Sequence, residues 1–396
     1  MKERYYSLDV FRGATVALMI LVNNPGSWSH IFSPLKHASW HGCTPTDLVF
    51  PFFLFAVGNA MAFVMPRLEA AGDATFWRKV LKRTLIIFLI GLFLNWYPFV
   101  RWSEGQLIFR PWEYANSRGE IIGVRILGVL QRIALCYFFA SVIVYYFKIR
   151  GAFLISFILL TGYWLAAYWL GAPEDPYSLK GYFGNDVDRA ILGTPHLYRG
   201  EGVPFDPEGI MSTIPAIVQV IFGYFVGNYI QQKGKTYEML SNLFVAAAIL
   251  IFAGFLWDTV FPINKKIWTS SYVLYTTGLA TMVIGVFIYV FEFRSANDFG
   301  AKRWGRFFDV FGKNALFVFA LSAFLPKTLS LIRIPEGVND KGQTTYTNPW
   351  NWLYDKVLVN IPGRPEIGSF IYALCVILLM WAICYWLDKK KIYIKV

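Results

Sequence analysis

The sequence predicts an all-α, polytopic integral membrane protein with about ten membrane-spanning helices and both termini in the cytoplasm. Of its 396 residues, 56% are hydrophobic and only 16% are charged, against about 25% charged in a typical soluble domain. So few charges do not cover a water-facing surface. The aromatic share of 19% suits a surface that meets lipid tails and headgroups. The third observation is a series of apolar stretches of membrane-spanning length.

Ten such stretches follow one another along the chain. They cover residues 8–24, 46–66, 77–98, 124–147, 151–171, 210–231, 239–261, 268–293, 307–331 and 368–387. An even number of spans returns both termini to one side of the membrane. The long connections then fall on the opposite side, at residues 25–45, 99–123, 172–209 and 332–367. We treat residues 1–396 as a single transmembrane domain.

The distribution of charge gives the orientation. The side that carries the termini holds 19 basic and seven acidic residues, and this surplus equals the net charge of the whole chain, +12. Because cytoplasmic loops are enriched in Lys and Arg, both termini are expected in the cytoplasm of a multi-pass protein of the cytoplasmic membrane. The basic balance is thus a topology signal. Nucleic acid is not an expected partner, since no nucleic-acid-binding motif accompanies the charge.

Ionisable residues inside spans are costly and are candidates for functional sites. Asp9 and Arg12 lie three residues apart on one face of the first span, and a self-neutralising pair is weighed against ligand binding. Gln131 and Arg132 lie within the fourth span, where Arg132 needs a carboxylate or a cavity. Asp47, at the start of the second span, is the expected partner, in a structural pair or a substrate site.

The connection at residues 25–45, which we call the first outer loop, contains the histidines that are candidates for catalysis. Asn23 ends the first span, where its amide either terminates the helix or donates hydrogen bonds to an oxyanion. His37 and His41 lie four residues apart, close to Asp47. Metal binding is not expected, since no further ligand stands at a suitable spacing. A general base at His37 or His41 is the functional alternative to a surface histidine.

Two other polar segments border spans on the same side. Asp206 and Glu208 precede the sixth span, where a helix cap is a sufficient structural explanation and amine binding is the functional one. Lys265 and Lys266 precede the eighth span, where lysines that extend to the interface are weighed against anion binding.

Taken in order, these polar segments are the matching motifs of a known family. They read Ser7-Leu8-Asp9-Val10-Phe11-Arg12-Gly13, Val22-Asn23, His37-Ala38-Ser39-Trp40, Asp47-Leu48-Val49-Phe50-Pro51, Gly128-Val129-Leu130-Gln131-Arg132, His196-Leu197-Tyr198, Asp206-Pro207-Glu208-Gly209, Asn264-Lys265, Trp268 and Ser271-Tyr272. With these motifs the chain resembles the heparan-alpha-glucosaminide N-acetyltransferase family of transmembrane acyltransferases over nearly its whole length.

The resemblance implies an activity and a set of site residues. The activity is acetyl transfer from cytosolic acetyl-CoA to the amine of a terminal glucosamine across the membrane, without a metal. His37 matches the family's catalytic histidine and Asn23 its helper. The implied substrate- and coenzyme-binding residues are Asp47, Arg132, Gln131, Trp40, Asp206, Glu208, Asn264, Lys265, Trp268, Ser271, Arg12 and Asn314. An amino-sugar acceptor, coenzyme A, the bilayer and a second copy in a homodimer are the implied partners.

The chain departs from the animal members in three respects. It is expected to lack the luminal domain and the additional span that precede the first matched motif there. The connection between Asn23 and His37 is longer. The ninth span carries Ser322 where the animal enzyme has a histidine, so the role of that histidine in coenzyme A binding must be filled differently.

Several alternatives stay open at the level of sequence. Direct transfer with His37 as base and transfer through an acetyl-histidine are both compatible with the residues. A transporter of N-acetylglucosamine-like amino sugars is the alternative function, although no internal repeat is visible. The acceptor is a glycosaminoglycan end, a cell-wall or chitin-derived amino sugar, or a lipid-linked sugar.

Overall fold

A computed structural model describes residues 5–103, 105–116, 118–294, 299–338, 342 and 344–394, without the side chains of residues 299–302. Of the charges used to orient the chain, Lys2, Glu3, Arg4, Asp298 and Lys395 lie outside this set, as does the side chain of Lys302. The described residues are mostly helical. Several helices are long and apolar enough to cross a membrane, as in a multi-pass membrane protein.

The long helices coincide with the predicted spans. They are α1 (Tyr6–Asn23), α2 (Val49–Ala71), α3 (Asp73–Trp96), α4 (Val129–Leu170), α6 (Ile210–Lys233), α7 (Tyr237–Asp258), α8 (Ser270–Ile288), α9 (Phe299–Lys313), α10 (Ala315–Leu329) and α12 (Pro365–Lys389). Among the described residues, seven helical segments are long and apolar enough to cross a membrane, or eight if α9 and α10 form one bent span. The number of ten crossings and the side of the termini stay predictions.

Three elements explain the difference in number. Helix α3 is not among the seven segments, because its first half carries Arg78, Lys79, Lys82 and Arg83. Helix α4 has 42 residues and contains Lys148 at φ 53°, a left-handed conformation that interrupts a helix. At 1.5 Å per residue it is about twice as long as a bilayer core is thick, so it corresponds to the predicted fourth and fifth spans. Helices α9 and α10 meet at 76° and replace the continuous ninth span.

The outer loops are more structured than an all-α class implies. Within the described ranges they hold three antiparallel hairpins, formed by β1 (Val100–Ser103) with β2 (Gln106–Phe109), β3 (Glu113–Ala115) with β4 (Ile121–Gly123), and β5 (Ile334–Val338) with β6 (Thr344–Thr347). They also hold two short helices, α5 (Gly184–Leu192) and α11 (Pro349–Lys356). Short strand pairs satisfy backbone groups locally where the chain leaves the helices.

The core lies where α2 packs against α6, with α1, α4 and α8 around them. Glycines allow this close approach: a Cβ atom on Gly58 of α2 would overlap the carbonyl oxygen of Val220, and one on Gly223 of α6 would overlap that of Phe55. Small residues at helix crossings are typical of membrane proteins, because packing rather than the hydrophobic effect holds the helices together there. This crossing fixes the start of α2, which carries Asp47 on a 3₁₀ turn just before it.

Candidate active site

An open cavity of about 240 Å³ lies at the ends of α1, α2 and α4 opposite the termini. We call it the outer cavity. Its lining includes the predicted catalytic residues His37 and Asn23 together with Trp40, Asp47, Glu208, Lys265 and Trp268. The fold thus brings together residues from α1, the first outer loop, the third outer loop and the segment before α8. The longer connection between Asn23 and His37 still lets both side chains line one cavity.

His37 is paired with a buried carboxylate. Its Nδ1 lies 2.6 Å from Oδ1 of Asp47, and the imidazole is 40% exposed while Asp47 is 1% exposed. Among the described residues, no side chain or backbone group bonds to Nε2 of His37. A carboxylate oxygen only accepts hydrogen bonds, so in the neutral imidazole we assign the proton to Nδ1, which leaves the lone pair on Nε2. This is the tautomer that a general base or nucleophile needs.

The orientation of Asp47 is fixed by its second oxygen. Oδ2 accepts from the backbone N–H groups of Ala38 and Thr44 and from the hydroxyl of Thr44, each at 3.0 Å. Thr44 and Asp47 form a capping box on the turn before α2. Tyr272 donates its hydroxyl to the backbone carbonyl of Asp47 at 2.6 Å. The turn at Asp47-Leu48-Val49 therefore holds Asp47 in place, and Asp47 positions His37.

Lys265 adds a cation to this pair. Its Nζ lies 3.1 Å from Nδ1 of His37 and 3.5 Å from Oδ1 of Asp47. Burial lowers the pKa of Lys265 below the ordinary lysine value, although Asp47 and Glu208 are close and oppose the shift. Because Asp47 Oδ1 faces both basic groups, its one negative charge balances only one of them when both are protonated.

Asn264 shapes the turn that presents Lys265. Its Oδ1 accepts from the backbone N–H groups of Lys266 and Ile267, at 2.7 and 3.1 Å, and its Nδ2 lies 3.4 Å from Nδ1 of His41. Gly42 donates its backbone N–H to Ile263 at 2.7 Å, which joins the first outer loop to this turn. Asn264 thus has a structural role. The neighbouring His41 does not line the cavity, and burial lowers the pKa of its imidazole.

Trp268 forms part of the cavity wall and is supported from behind by Arg132. Trp268 has φ 52° and is almost fully buried, and the guanidinium of Arg132 lies 5.1 Å from its ring. Arg132 donates to Gly209 O at 3.2 Å and to the hydroxyl of Ser212. The expected pair of Arg132 with Asp47 is not formed, because the carboxylate is taken up by His37 and Lys265.

The two predicted amine-binding carboxylates share one guanidinium, that of Arg125. Arg125 donates to Asp206 from Nε at 2.9 Å and from Nη2 at 2.5 Å, and it also donates to Glu208. Burial disfavours the charge on Glu208, but Arg125 outweighs this and lowers the pKa of Glu208. Asp206 therefore holds Arg125 and does not present a free carboxylate to an amine.

Trp40 and Lys266 link the first outer loop to the third. Trp40 donates its indole N–H to Tyr177 O at 2.8 Å. Lys266 donates to Ser39 O at 2.7 Å and to Glu201 at 2.6 Å, with its ammonium 5.7 Å from the Trp40 ring. These contacts close one side of the outer cavity.

The remaining predicted residues lie away from the outer cavity. Gln131 donates to Ile126 O at 2.9 Å, and Ser271 is buried and donates to Phe261 O at 2.5 Å. Asn314 binds the C-terminal segment, since its Nδ2 donates to Ile392 O at 3.2 Å and its Oδ1 accepts from Ile394 N at 2.8 Å. Ser322 donates to Phe319 O within its own helix. These four side chains have structural roles.

Arg12 instead lies between two further cavities, of about 390 and 280 Å³, at the opposite ends of the helices. We call them the inner cavities. Both are lined by Arg12, Ala56 and Ala60; the first also contains Arg67, and the second contains Arg83 and Lys313. The expected pair of Arg12 with Asp9 is formed at 2.9 Å, and Arg12 also donates to Gly312 O at 2.9 Å.

Sequence reasoning missed Arg125, Glu201 and Thr44. Arg125 was detectable, because it is a charged residue at the outer end of a predicted span, as is Arg132 further along. Thr44, three residues before Asp47, has the spacing of a capping box. Glu201 had no local signal, since its role depends on the distance between two loops.

Taken together, the fold and the outer cavity define a multi-pass membrane protein with the groups for histidine-based transfer chemistry: an oriented imidazole, an amide, and a buried cation.

Comparison with known proteins shows the family to which the chain belongs. The chain matches the model of the family described as heparan-alpha-glucosaminide N-acetyltransferase, catalytic, over residues 4–261, and it belongs to this family of N-acetyltransferases. It is similar to the heparan-alpha-glucosaminide N-acetyltransferase of Homo sapiens, with 28% identity over 72% of this chain and 48% of the relative. The protein of that name from Mus musculus is 28% identical over 68% and 47%. The chain thus spans about half the length of these relatives.

Proposed function

We propose that this protein transfers an acetyl group from acetyl-CoA, bound from the cytoplasmic side, to the amine of a glucosamine-containing sugar in the outer cavity. The observation that carries this proposal is the His37–Asp47 pair, with its free Nε2, beside Asn23 in one cavity. Membership of an N-acetyltransferase family supports the type of reaction.

Each side chain has a step in the proposed reaction. Nε2 of His37 removes the proton from the attacking amine, and Asp47 stabilises the imidazolium that forms. Asn23 is exposed at the cavity wall and donates its amide N–H to the developing oxyanion. Trp40, which is half-buried at the cavity, offers aromatic surface to the sugar ring. Arg132 acts through Trp268, since it does not line the cavity.

The inner cavities support the proposed side of the donor. Phosphate groups bind to Arg and Lys side chains, and Arg67 and Arg83 supply these beside Arg12, while Lys313 is paired with Asp309 and Asp388. The guanidinium of Arg83 lies 4.8 Å from the Tyr137 ring, and its Nε has no hydrogen-bond partner among the described residues. We infer that the nucleotide of coenzyme A occupies these cavities and that its pantetheine arm reaches toward α1 and α2.

Sealed inverted membrane vesicles test the reaction and its sidedness together. The acceptor, a glucosamine-terminated oligosaccharide, is enclosed and acetyl-CoA is added outside, on the former cytoplasmic face. Free thiol outside and acetylated sugar inside are expected, and both are lost in His37→Ala. Sugar that crosses the membrane without thiol release contradicts the proposal and supports transport instead.

Radiolabelled acetyl-CoA without acceptor separates the two forms of the mechanism. Label that stays on the protein after denaturation, and is absent from His37→Ala, indicates an acetyl-histidine formed at Nε2. Label found only on sugar after acceptor is added indicates direct transfer.

A further inference from the structure

The proposed acetyl transfer moves two protons, and the residues assigned so far account for one. A C–N bond forms as the C–S bond of the thioester breaks, so the amine gives up a proton and the thiolate of coenzyme A takes one. His37 accepts the first. A second group that supplies the other makes coenzyme A a better leaving group, because a thiolate is a poorer leaving group than a thiol.

Lys265 is placed to supply it. Its side chain lines the outer cavity with His37 and is 21% exposed. Oδ2 of Asp47 already accepts three hydrogen bonds, so His37 and Lys265 share Oδ1. The ammonium and the imidazole are 3.1 Å apart.

This arrangement couples the protonation of the two bases. When His37 becomes an imidazolium, two cations face one carboxylate at contact distance, and their repulsion favours release of a proton from Lys265.

The other charged groups around the outer cavity are held in ion pairs, and of these Glu208 partly offsets the repulsion at Lys265. Lys266 binds Glu201, and Arg125 binds Asp206 and Glu208. The nearby thiol of Cys43 has its pKa raised to about 12 by burial, with a further contribution from Asp47, so it is neutral.

We propose, on the basis of the proposed function, that Lys265 is the general acid that protonates the leaving thiolate of coenzyme A. The amine proton passes to Nε2 of His37 and a proton passes from Nζ of Lys265 to sulfur. The products are the amide, the free thiol, an imidazolium and a neutral lysine. Solvent then takes one proton from His37 and returns one to Lys265, so that no net proton is consumed. Burial of Lys265, which lowers its pKa, supports this role.

Thioesters with different leaving groups test the proposal. The donors are acetyl-CoA and the acetyl thioester of 5-thio-2-nitrobenzoate, whose acidic thiol leaves without a proton. In Lys265→Met the rate with acetyl-CoA is expected to fall about 100-fold, and the rate with the nitrobenzoate thioester by less than about fivefold. Lys265→Arg is expected to behave as Lys265→Met does, because a guanidinium keeps the charge but does not release its proton.

Lys266→Met is the matched control, since it removes the neighbouring lysine and is expected to leave the ratio of the two donor rates unchanged. Binding of coenzyme A, measured by calorimetry, is expected to be the same in Lys265→Met and wild type. Equal losses with both donors, or full acetyl-CoA activity in Lys265→Arg, would overturn the assignment. No thiol release by the wild type with either donor would instead refute the proposed function itself.

Discussion

At the scale of single residues, the site depends on which oxygen of Asp47 serves which partner. Three donors from Ala38 and Thr44 hold Oδ2, and only Oδ1 is left for His37 and Lys265. The tautomer of His37 is therefore set by a turn in the backbone and not by His37 itself.

Asp47→Asn tests this dependence. The three donors at Oδ2 require an acceptor, so the asparagine is expected to place its carbonyl oxygen there and turn its NH₂ toward Nδ1 of His37. Nδ1 then accepts and Nε2 carries the proton, which is the wrong tautomer for a base. We expect the kcat for acetyl transfer to fall by about 10³-fold or more.

The control for this variant is Thr44→Val, which removes one of the three donors and is expected to cost less than about tenfold. Gel filtration in detergent checks that both variants are folded, since a folded variant elutes at the volume of the wild type. An Asp47→Asn protein with wild-type kcat would show that the tautomer does not control the reaction.

Asp188 gives a second prediction at this scale. It is buried and accepts a backbone hydrogen bond from Ile210 at 2.8 Å. Burial, with a further contribution from Asp206, raises its pKa to about 7 despite the opposing effects of Ile210 and Arg132. The folded state thus holds this proton more tightly than the unfolded state, so the stability due to it is fully present below the ordinary aspartate pKa and is lost as pH rises through about 7.

Asp188→Asn is therefore expected to raise the melting temperature in detergent at pH 8 and to change it little near pH 4. The shift corresponds to about 4 kcal/mol at most. Asp186→Asn, on the same helix with its side chain 87% exposed, is the control and is expected to have no such pH dependence. A difference between Asp188→Asn and wild type that is the same at both pH values contradicts the interpretation.

At the scale of elements, the crossing of α2 and α6 positions the site. Gly58 meets the backbone of Val220 and Tyr224, and Gly223 meets that of Phe55. Backbone atoms cannot rotate away as a side chain does, so an added methyl group must push the helices apart.

Gly58→Ala is expected to lower stability by about 1–3 kcal/mol and to reduce activity, because α2 carries Asp47 at its start. Gly162→Ala in α4 is the control, since a Cβ atom there meets no atom within 4 Å, and alanine is favoured over glycine in a helix by about 0.5–1 kcal/mol. Melting temperatures in detergent measure both effects. Equal melting temperatures for the two variants would contradict the role of the crossing.

At the scale of the whole molecule, the cavities divide between the two ends of the helices. The outer cavity holds the proposed chemistry and the inner cavities hold a group of basic side chains. Donor and acceptor would thus approach from opposite sides of the membrane. Helices α1 and α2 line the outer cavity and the inner cavities.

Arg83→Gln tests the proposed donor side. Loss of one cation from the inner cavity is expected to raise the KM for acetyl-CoA about tenfold and to leave the KM for the sugar unchanged, because a charged hydrogen bond contributes about 1.5–3 kcal/mol. Arg78→Gln is the control, since it is exposed on the same helix and does not line the cavity. A raised KM for the sugar alone would place the donor elsewhere.

The sequence by itself determined the membrane class, the positions of most helices and the family, and it predicted His37 and Asn23 as site residues. Each of these depends on local composition or on motifs that read in order. Tertiary structure alone decided the pairings. Asp47 bonds to His37 and Lys265 in place of Arg132, Arg125 pairs with Asp206 and Glu208, and Asn314 holds the C-terminal segment. The physical reason is that a charge in a buried site selects its partner by distance and geometry, and these distances join segments that are far apart in the chain.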